Sequence, residues 1–292
     1  MAEKRPEYSS MYRFYENRIV EYFDDYENFH KAKNLSNYTG LQDFDKRPGY
    51  LSKFAKKNIE TRLTPWLTSI KIYNQLHPEI SNRKKRKPIF VTLTLSQKTN
   101  LTHQEIKRQL LQKFLERMMY SQKVQETFWK AELQKNGNLH FHLVLDHYIN
   151  KITIQKSWNS IQRKHGLTEE YEKKFHKKEP PSTHVRSIQN MEKSIRYVMK
   201  YVSKNSAGKK INGNIYRFSK NLTDLKPFTF DNTINHTPGF MAFLKKNVDD
   251  AFVQEYFSVL HLSGKTKMDT LPEPVLKSYM NYYDSVYQKI YC

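Results

Sequence analysis

The sequence contains a single cysteine, Cys292, so neither an internal disulfide framework nor a cysteine-based zinc site can be built from it. A reducing compartment suits such a chain. Nowhere do 18 apolar residues run together, and the opening MAEKRPEYSS lacks the apolar stretch of a secretory signal, so a cytoplasmic protein with no membrane partner is expected. A nucleotide-binding loop is missing as well. The stretch SGKT (Ser263 to Thr266) resembles the end of one, but the position that needs the motif's first glycine holds Val259. Acidic residues are in short supply: 29 Asp and Glu stand against 50 Lys and Arg, giving a formal charge of +21 that points to a polyanionic partner.

What the chain does have is aromatic residues, 14% of the total with 20 Tyr among them, interleaved with the basic ones. A mixed basic and aromatic surface suits single-stranded nucleic acid, whose phosphates and unstacked base faces both need partners. Some of those rings must also serve as core. At 292 residues the chain can form one domain with additions at both ends.

Residues 1–85 read as a charged, aromatic, mostly helical accessory segment in which Pro65 interrupts or starts a helix, and NRKKRK (Asn82 to Lys87) reads as a basic connector. PIFVTLTL follows, with Ile89, Val91, Leu93 and Leu95 at period 2, the signature of a strand with one covered face. THQEIKRQLLQKFLERMM opens with Thr102 and Glu105 in capping-box spacing and puts Ile106, Leu110, Leu111, Phe114 and Met118 on one helical stripe. VQETFWKAEL and LHFHLVLD then flank QKNGN, a hairpin signal. ITIQKSWNSIQRKHG is a helix with Gly166 as its stop, and STHVRSI (Ser182 to Ile188) is a fourth strand. The order β-α-β-β-α-β predicts an α+β, ferredoxin-like arrangement: an antiparallel sheet with helices on one face, over residues 86–225. Residues 226–292 form a mixed accessory segment ending in a helix near PVLKSYMNYYDSVYQKIY.

Within GNLHFHLVLD, His140 and His142 project from the same face of a strand and can converge on one metal ion. Glu132, the only carboxylate in the hairpin, is the candidate third ligand. A two-residue Asn-Gly turn would pair Glu132 with Phe141 and aim it at the wrong face. A three-residue loop (Lys135, Asn136, Gly137) pairs it with His140 and needs a left-handed last position, where Gly137 stands. Two imidazoles and a carboxylate suit Mg²⁺ or Mn²⁺ acting as a Lewis acid on phosphate, with zinc not excluded. The plainer reading is a half-buried strand that carries two polar side chains.

In SIRYVMKYVSK (Ser194 to Lys204), Ile195, Val198, Met199 and Val202 form one helical stripe, while Tyr197, Lys200, Tyr201 and Lys204 form a second, roughly opposite. An exposed aromatic pair with two solvated lysines would account for this pattern. So would chemistry: a tyrosine oxygen attacking phosphorus, with a metal polarising the phosphate and a lysine neutralising charge, breaks a DNA strand and stores the bond as phosphotyrosine.

Taken in order, FVTLTL (Phe90 to Leu95), HFH (His140 to His142) and YVMKYVSK (Tyr197 to Lys204) resemble the three motifs of the rolling-circle replication initiators of the HUH endonuclease superfamily, especially the two-tyrosine type of small single-stranded DNA phages and related bacterial elements. The resemblance spans roughly residues 85–225. It implies an RRM-like HUH fold, metal ligands at His140 and His142 with Glu132 less firmly placed, nucleophiles at Tyr197 and Tyr201, and Lys200 and Lys204 beside them. It also implies nicking at a replication origin through a 5′-phosphotyrosine, a free 3′-OH, and later rejoining. The partners implied are single-stranded origin DNA, a host polymerase and, since no phosphate-binding loop is present, a separate helicase. Conjugative relaxases place their tyrosines before the metal motif, which argues against that reading. Two other readings compete: a single-strand transposase of the same superfamily, and a noncatalytic single-stranded nucleic-acid-binding module whose histidines are incidental.

Overall fold

A computed structural model describes residues 10–15, 18–23, 51–134, 136–188, 198–200, 211–231, 237, 239–253, 257–263 and 268–292. In chain order its elements are β1 (Ser10–Phe14), β2 (Arg18–Phe23), α1 (Lys53–Leu76) and β3 (Ile89–Thr94). A composite helix α2 follows, made of His103–Glu105, a π-helical stretch Ile106–Leu111 and Gln112–Gln122. Then come β4 (Thr127–Leu133), β5 (Leu139–Leu145), α3 (Lys151–Lys164), α4 (Glu169–Phe175), β6 (Thr183–Ser187), β7 (Tyr216–Phe218) and β8 (Thr229–Asp231). The chain closes with α5 (Phe240–Asn247), β9 (Val248–Val253), β10 (Phe257–Leu262) and α6 (Glu273–Tyr291). The fold is α+β, with two five-stranded sheets, both antiparallel.

One sheet has the order β6-β3-β5-β4-β7. Its first four strands are those anticipated from periodicity, arranged as the split β-α-β unit requires: β5 lies between β3 and β4, antiparallel to both. The short strand β7 is added beyond β4. Thr102 accepts from the Glu105 backbone N–H and Glu105 accepts from that of Thr102, the reciprocal cap expected at the start of α2. The predicted stripe from Ile106 to Met118 is buried against Ile89, Val91 and Leu93 and against Leu139, Phe141 and Leu143. Helix α3 adds Trp158, which is fully buried and donates Nε1–H to Thr94 O at 2.8 Å. At its end Gly166 takes φ +69°, the left-handed conformation that stops the helix.

The expectation of one covered face needs correction. Phe90, Val144 and Phe128 form a second apolar surface on the opposite side of the sheet, roofed by Ile59, Leu63 and Trp66 of α1 and by Val286, Tyr287 and Ile290 of α6. The roof shows in the sequence only once the chain is folded, because its two helices lie more than 200 residues apart. Pro65 neither starts nor ends α1: it sits inside the helix, where it removes one backbone donor, and Ser52 is the cap. The N-terminal segment is also not helical throughout, since β1 and β2 form a hairpin. That hairpin belongs to the second sheet, β8-β1-β2-β10-β9, so residues from both ends of the chain build one layer. The basic connector is partly structural, with Arg86 Nη1 2.7 Å from Asp146 Oδ2 and its guanidinium 3.8 Å above the Tyr291 ring.

Candidate functional site

The hairpin register decides which groups meet. Glu132 pairs with His140 and Leu133 with Leu139; Gln134 N–H then donates to Asn138 O at 2.9 Å, so three residues close the loop. Gly137 stands at the third with φ +87°, and Lys135 lies outside the described residues. This is the register that puts Glu132 on the histidine face.

Partners directly opposite in an antiparallel sheet share a face, so two rungs can be read across the strands. One runs His184, Thr92, His142, Lys130, Tyr216 over β6, β3, β5, β4 and β7. The next holds Thr94, His140 and Glu132. Burial falls along β5 towards the hairpin tip: His142 is 3% exposed, stacked on Phe90 at the edge of the helical roof, while His140 is only half-buried. The two imidazole centroids lie 4.7 Å apart.

Each histidine faces a threonine of β3. Thr94 Oγ1 is 3.0 Å from His140 Nδ1, and Thr92 Oγ1 is 3.4 Å from His142 Nδ1. On the other side Glu132 Oε2 lies 3.0 Å from His142 Nε2. A carboxylate can only accept, so Nε2 carries the proton of this bond. A threonine hydroxyl both donates and accepts, so His142 keeps a partner at Nδ1 in either tautomer. Burial pushes the Glu132 carboxyl upward, but the hydrogen bond to His142 and the charges of Lys130, His142 and His140 outweigh it and hold the group below the usual carboxylate range.

These side chains supply the donor types a divalent cation takes: two ring nitrogens and a carboxylate on adjacent strands. Their arrangement is that of a hydrogen-bonded cluster, and among the described residues no three His, Cys, Asp or Glu side chains form a preset metal cage. Of the second motif, Lys200 is exposed in a helical stretch, 198–200, while Val198 is buried against the roofed face of the sheet. Tyr197, Tyr201 and Lys204 lie outside the described residues.

Four groups on this face escaped the motif reading. Thr92 and Thr94 were legible as the polar half of the FVTLTL alternation. Lys130 is 2% exposed and directly opposite His142, and its only signal was its offset of two from Glu132. His184, read as lying outside the motif, shares the rung of His142 on edge strand β6 and is exposed.

Among the described residues no helix is long and apolar enough to cross a membrane. No curated protein and no solved structure matches the chain. Residues 88–206, which run from the start of β3 through the histidine hairpin to the Tyr-Lys stretch, match the family model of the replication-associated protein ORF2, and this likeness supports a Rep-type replication protein with DNA as its partner.

Proposed function

We propose that the chain is an origin-nicking replication initiator of the HUH two-tyrosine type. The observation that carries this reading is the cluster His140, His142 and Glu132, brought together by a three-residue hairpin loop inside the stretch that matches a replication-associated family. His140, His142 and Glu132 would hold Mg²⁺ or Mn²⁺, which when bound supplies Lewis-acid polarisation of the scissile phosphate. Taking up a cation exchanges the Glu132–His142 hydrogen bond for coordination. Thr92 and Thr94 orient the two rings through Nδ1, so that Nε2 is directed away from β3.

Tyr197 or Tyr201 is the nucleophile. Its phenol oxygen bonds to phosphorus, the bond from phosphorus to the 3′ oxygen breaks, and that oxygen leaves as the free 3′-OH with a proton; the 5′ end stays on the protein as a phosphotyrosine. Lys200 or Lys204 neutralises charge as it develops. The second tyrosine then allows another attack while the first is occupied, and that attack rejoins the displaced strand. A separate helicase and a host polymerase complete replication, and the reaction runs inside the host cell.

The test is a denaturant-resistant protein–DNA adduct formed with Mn²⁺ and single-stranded origin DNA. It should be present in the wild type and lost in His140→Ala and in the Tyr197→Phe, Tyr201→Phe double variant. One observation favours a second reading, a noncatalytic single-strand binding module: Glu132 bonds directly to His142 beside the buried cation Lys130, an arrangement self-sufficient as structure. Tight, metal-independent binding with no adduct over a range of origin sequences would establish that module instead.

A further inference from the structure

Strand β7 is the edge of the histidine-bearing sheet, and its outer side opens into a groove of about 870 Å³ between the first half of α1 and the second half of α2. Binding clefts for small ligands typically span about 300–1,000 Å³. Three cations line the groove, Arg62, Arg217 and Lys220, and none of its lining residues is acidic. Three aromatic residues, Trp129, Tyr216 and Phe218, line it as well, with the Arg62 guanidinium 5.7 Å over the Phe218 ring. The floor is anchored, because Lys107 donates to the carbonyl oxygens of Asn212 and Asn214 and so holds the turn that leads into β7.

The groove is also joined to the histidine face. Tyr216 pairs with Lys130, and Lys130 with His142, so the groove and His142 stand two strand spacings apart on one rung, about 10 Å. A chain of phosphates and bases passing from the histidines over β4 would meet the groove next.

We propose that this groove is a contact for single-stranded DNA, holding nucleotides that flank the bond cut at the histidine face. The location beside a cut bond rests on the nicking reading above; the binding chemistry does not. Arg217 and Lys220 contact phosphates, while the partly exposed ring of Tyr216 offers a face for a base, the combination that unstacked strands require. Duplex DNA shows its bases only at the groove edges and has no use for such a ring.

The test is fluorescence anisotropy of a labelled single-stranded oligonucleotide and of its duplex, without added metal, over a salt series. The chains compared are the wild type, the double variant Arg217→Gln, Lys220→Gln, and a control of equal charge, Lys177→Gln, Lys178→Gln, in the exposed loop after α4. Each phosphate contact on a single strand adds about 0.7 to the slope of log affinity against log salt, so losing two lowers the slope by about 1.4. At 0.1 M salt the groove variant should bind single strands at least about fivefold more weakly than the control does. Equal affinities and slopes in the two variants would overturn the proposal, as would a loss confined to duplex DNA. Binding is read before any cleavage, so a negative adduct assay removes the nicking reading and leaves this test standing.

Discussion

Asp146 closes β5 and is fully buried, and its carboxylate is the hub on which the roof of the histidine-bearing sheet is fixed. Oδ2 accepts from Arg86 Nη1 at 2.7 Å and from the backbone N–H groups of Gln125 and Glu126 at 3.2 and 3.4 Å, while Oδ1 lies 2.8 Å from His147 Nδ1. Arg86 in turn stacks on Tyr291, and Tyr291 accepts from Trp66 Nε1 at 2.8 Å, so one carboxylate ties β5 to α6 and α1. Replacing Asp146 with Ala leaves a largely buried guanidinium without its counter-charge, a change that costs about 3–5 kcal/mol when one partner of a buried pair is removed. Asp146→Asn keeps an acceptor of the same shape, so its cost should be about 1–3 kcal/mol. Urea denaturation followed by tryptophan fluorescence and by circular dichroism reads both, with the midpoint moving while the slope m stays constant. The pair is coupled, so Arg86→Met, Asp146→Ala should cost less than the sum of the single changes by about 1–3 kcal/mol. If Asp146→Ala costs under about 1 kcal/mol, or if the two changes simply add, the hub is not holding the roof.

Gly137→Ala meets no atom within 4 Å but must adopt φ +87°, so it should destabilise by about 1–2 kcal/mol through backbone strain alone; an unchanged urea midpoint would contradict this. Trp158→Phe removes the donor to Thr94 O on the strand whose threonines hold the histidines, and a loss of about 1–3 kcal/mol is expected in the same assay. Burial lowers the Lys107 ammonium to about 8. The folded chain therefore gives up this proton near pH 8 and the unfolded chain near the ordinary lysine value of about 10.4, so this group makes stability rise with pH between the two. Denaturation at pH 7.5 and 9.5 should show a rise in the wild type that is smaller in Lys107→Met; an equal rise in both would refute the assignment.

The sheet that carries the histidines was legible because its signals are local. Period 2 in PIFVTLTL, the reciprocal cap at Thr102 and Glu105 and the glycine at position 137 each act within a few residues, and together they fix strand order and register. The geometry at Glu132 was legible for the same reason, since only one loop length brings it to the histidine face. The second sheet was not legible. Its strands β1 and β2 precede β8 and β10 by some 200 residues, and SMYRF and RIVEYF alternate too weakly to stand out from a charged background. Lys130 was missed for a different reason: a buried lysine is recognised by its environment, and in the sequence it is one basic residue among 50.

The terminal segments read from sequence as separate additions, which suggested a role in binding origin duplex. In the structure they also complete the core: α1 supplies Ile59, Leu63 and Trp66, and α6 supplies Val286, Tyr287 and Ile290, to the cluster that covers Phe90, Phe128 and Val144. Removing either segment exposes apolar surface on the strand that carries His142, next to the ring that stacks on it. A truncated chain that loses DNA binding would therefore report a damaged site as readily as a missing contact. Charge substitutions on exposed side chains separate the two, because they alter the salt dependence of binding while the roof stays in place. The same coupling runs from DNA to the fold. A strand bound along the groove touches α1, α2 and β7 together, so it should raise the unfolding midpoint of the whole chain in proportion to its affinity.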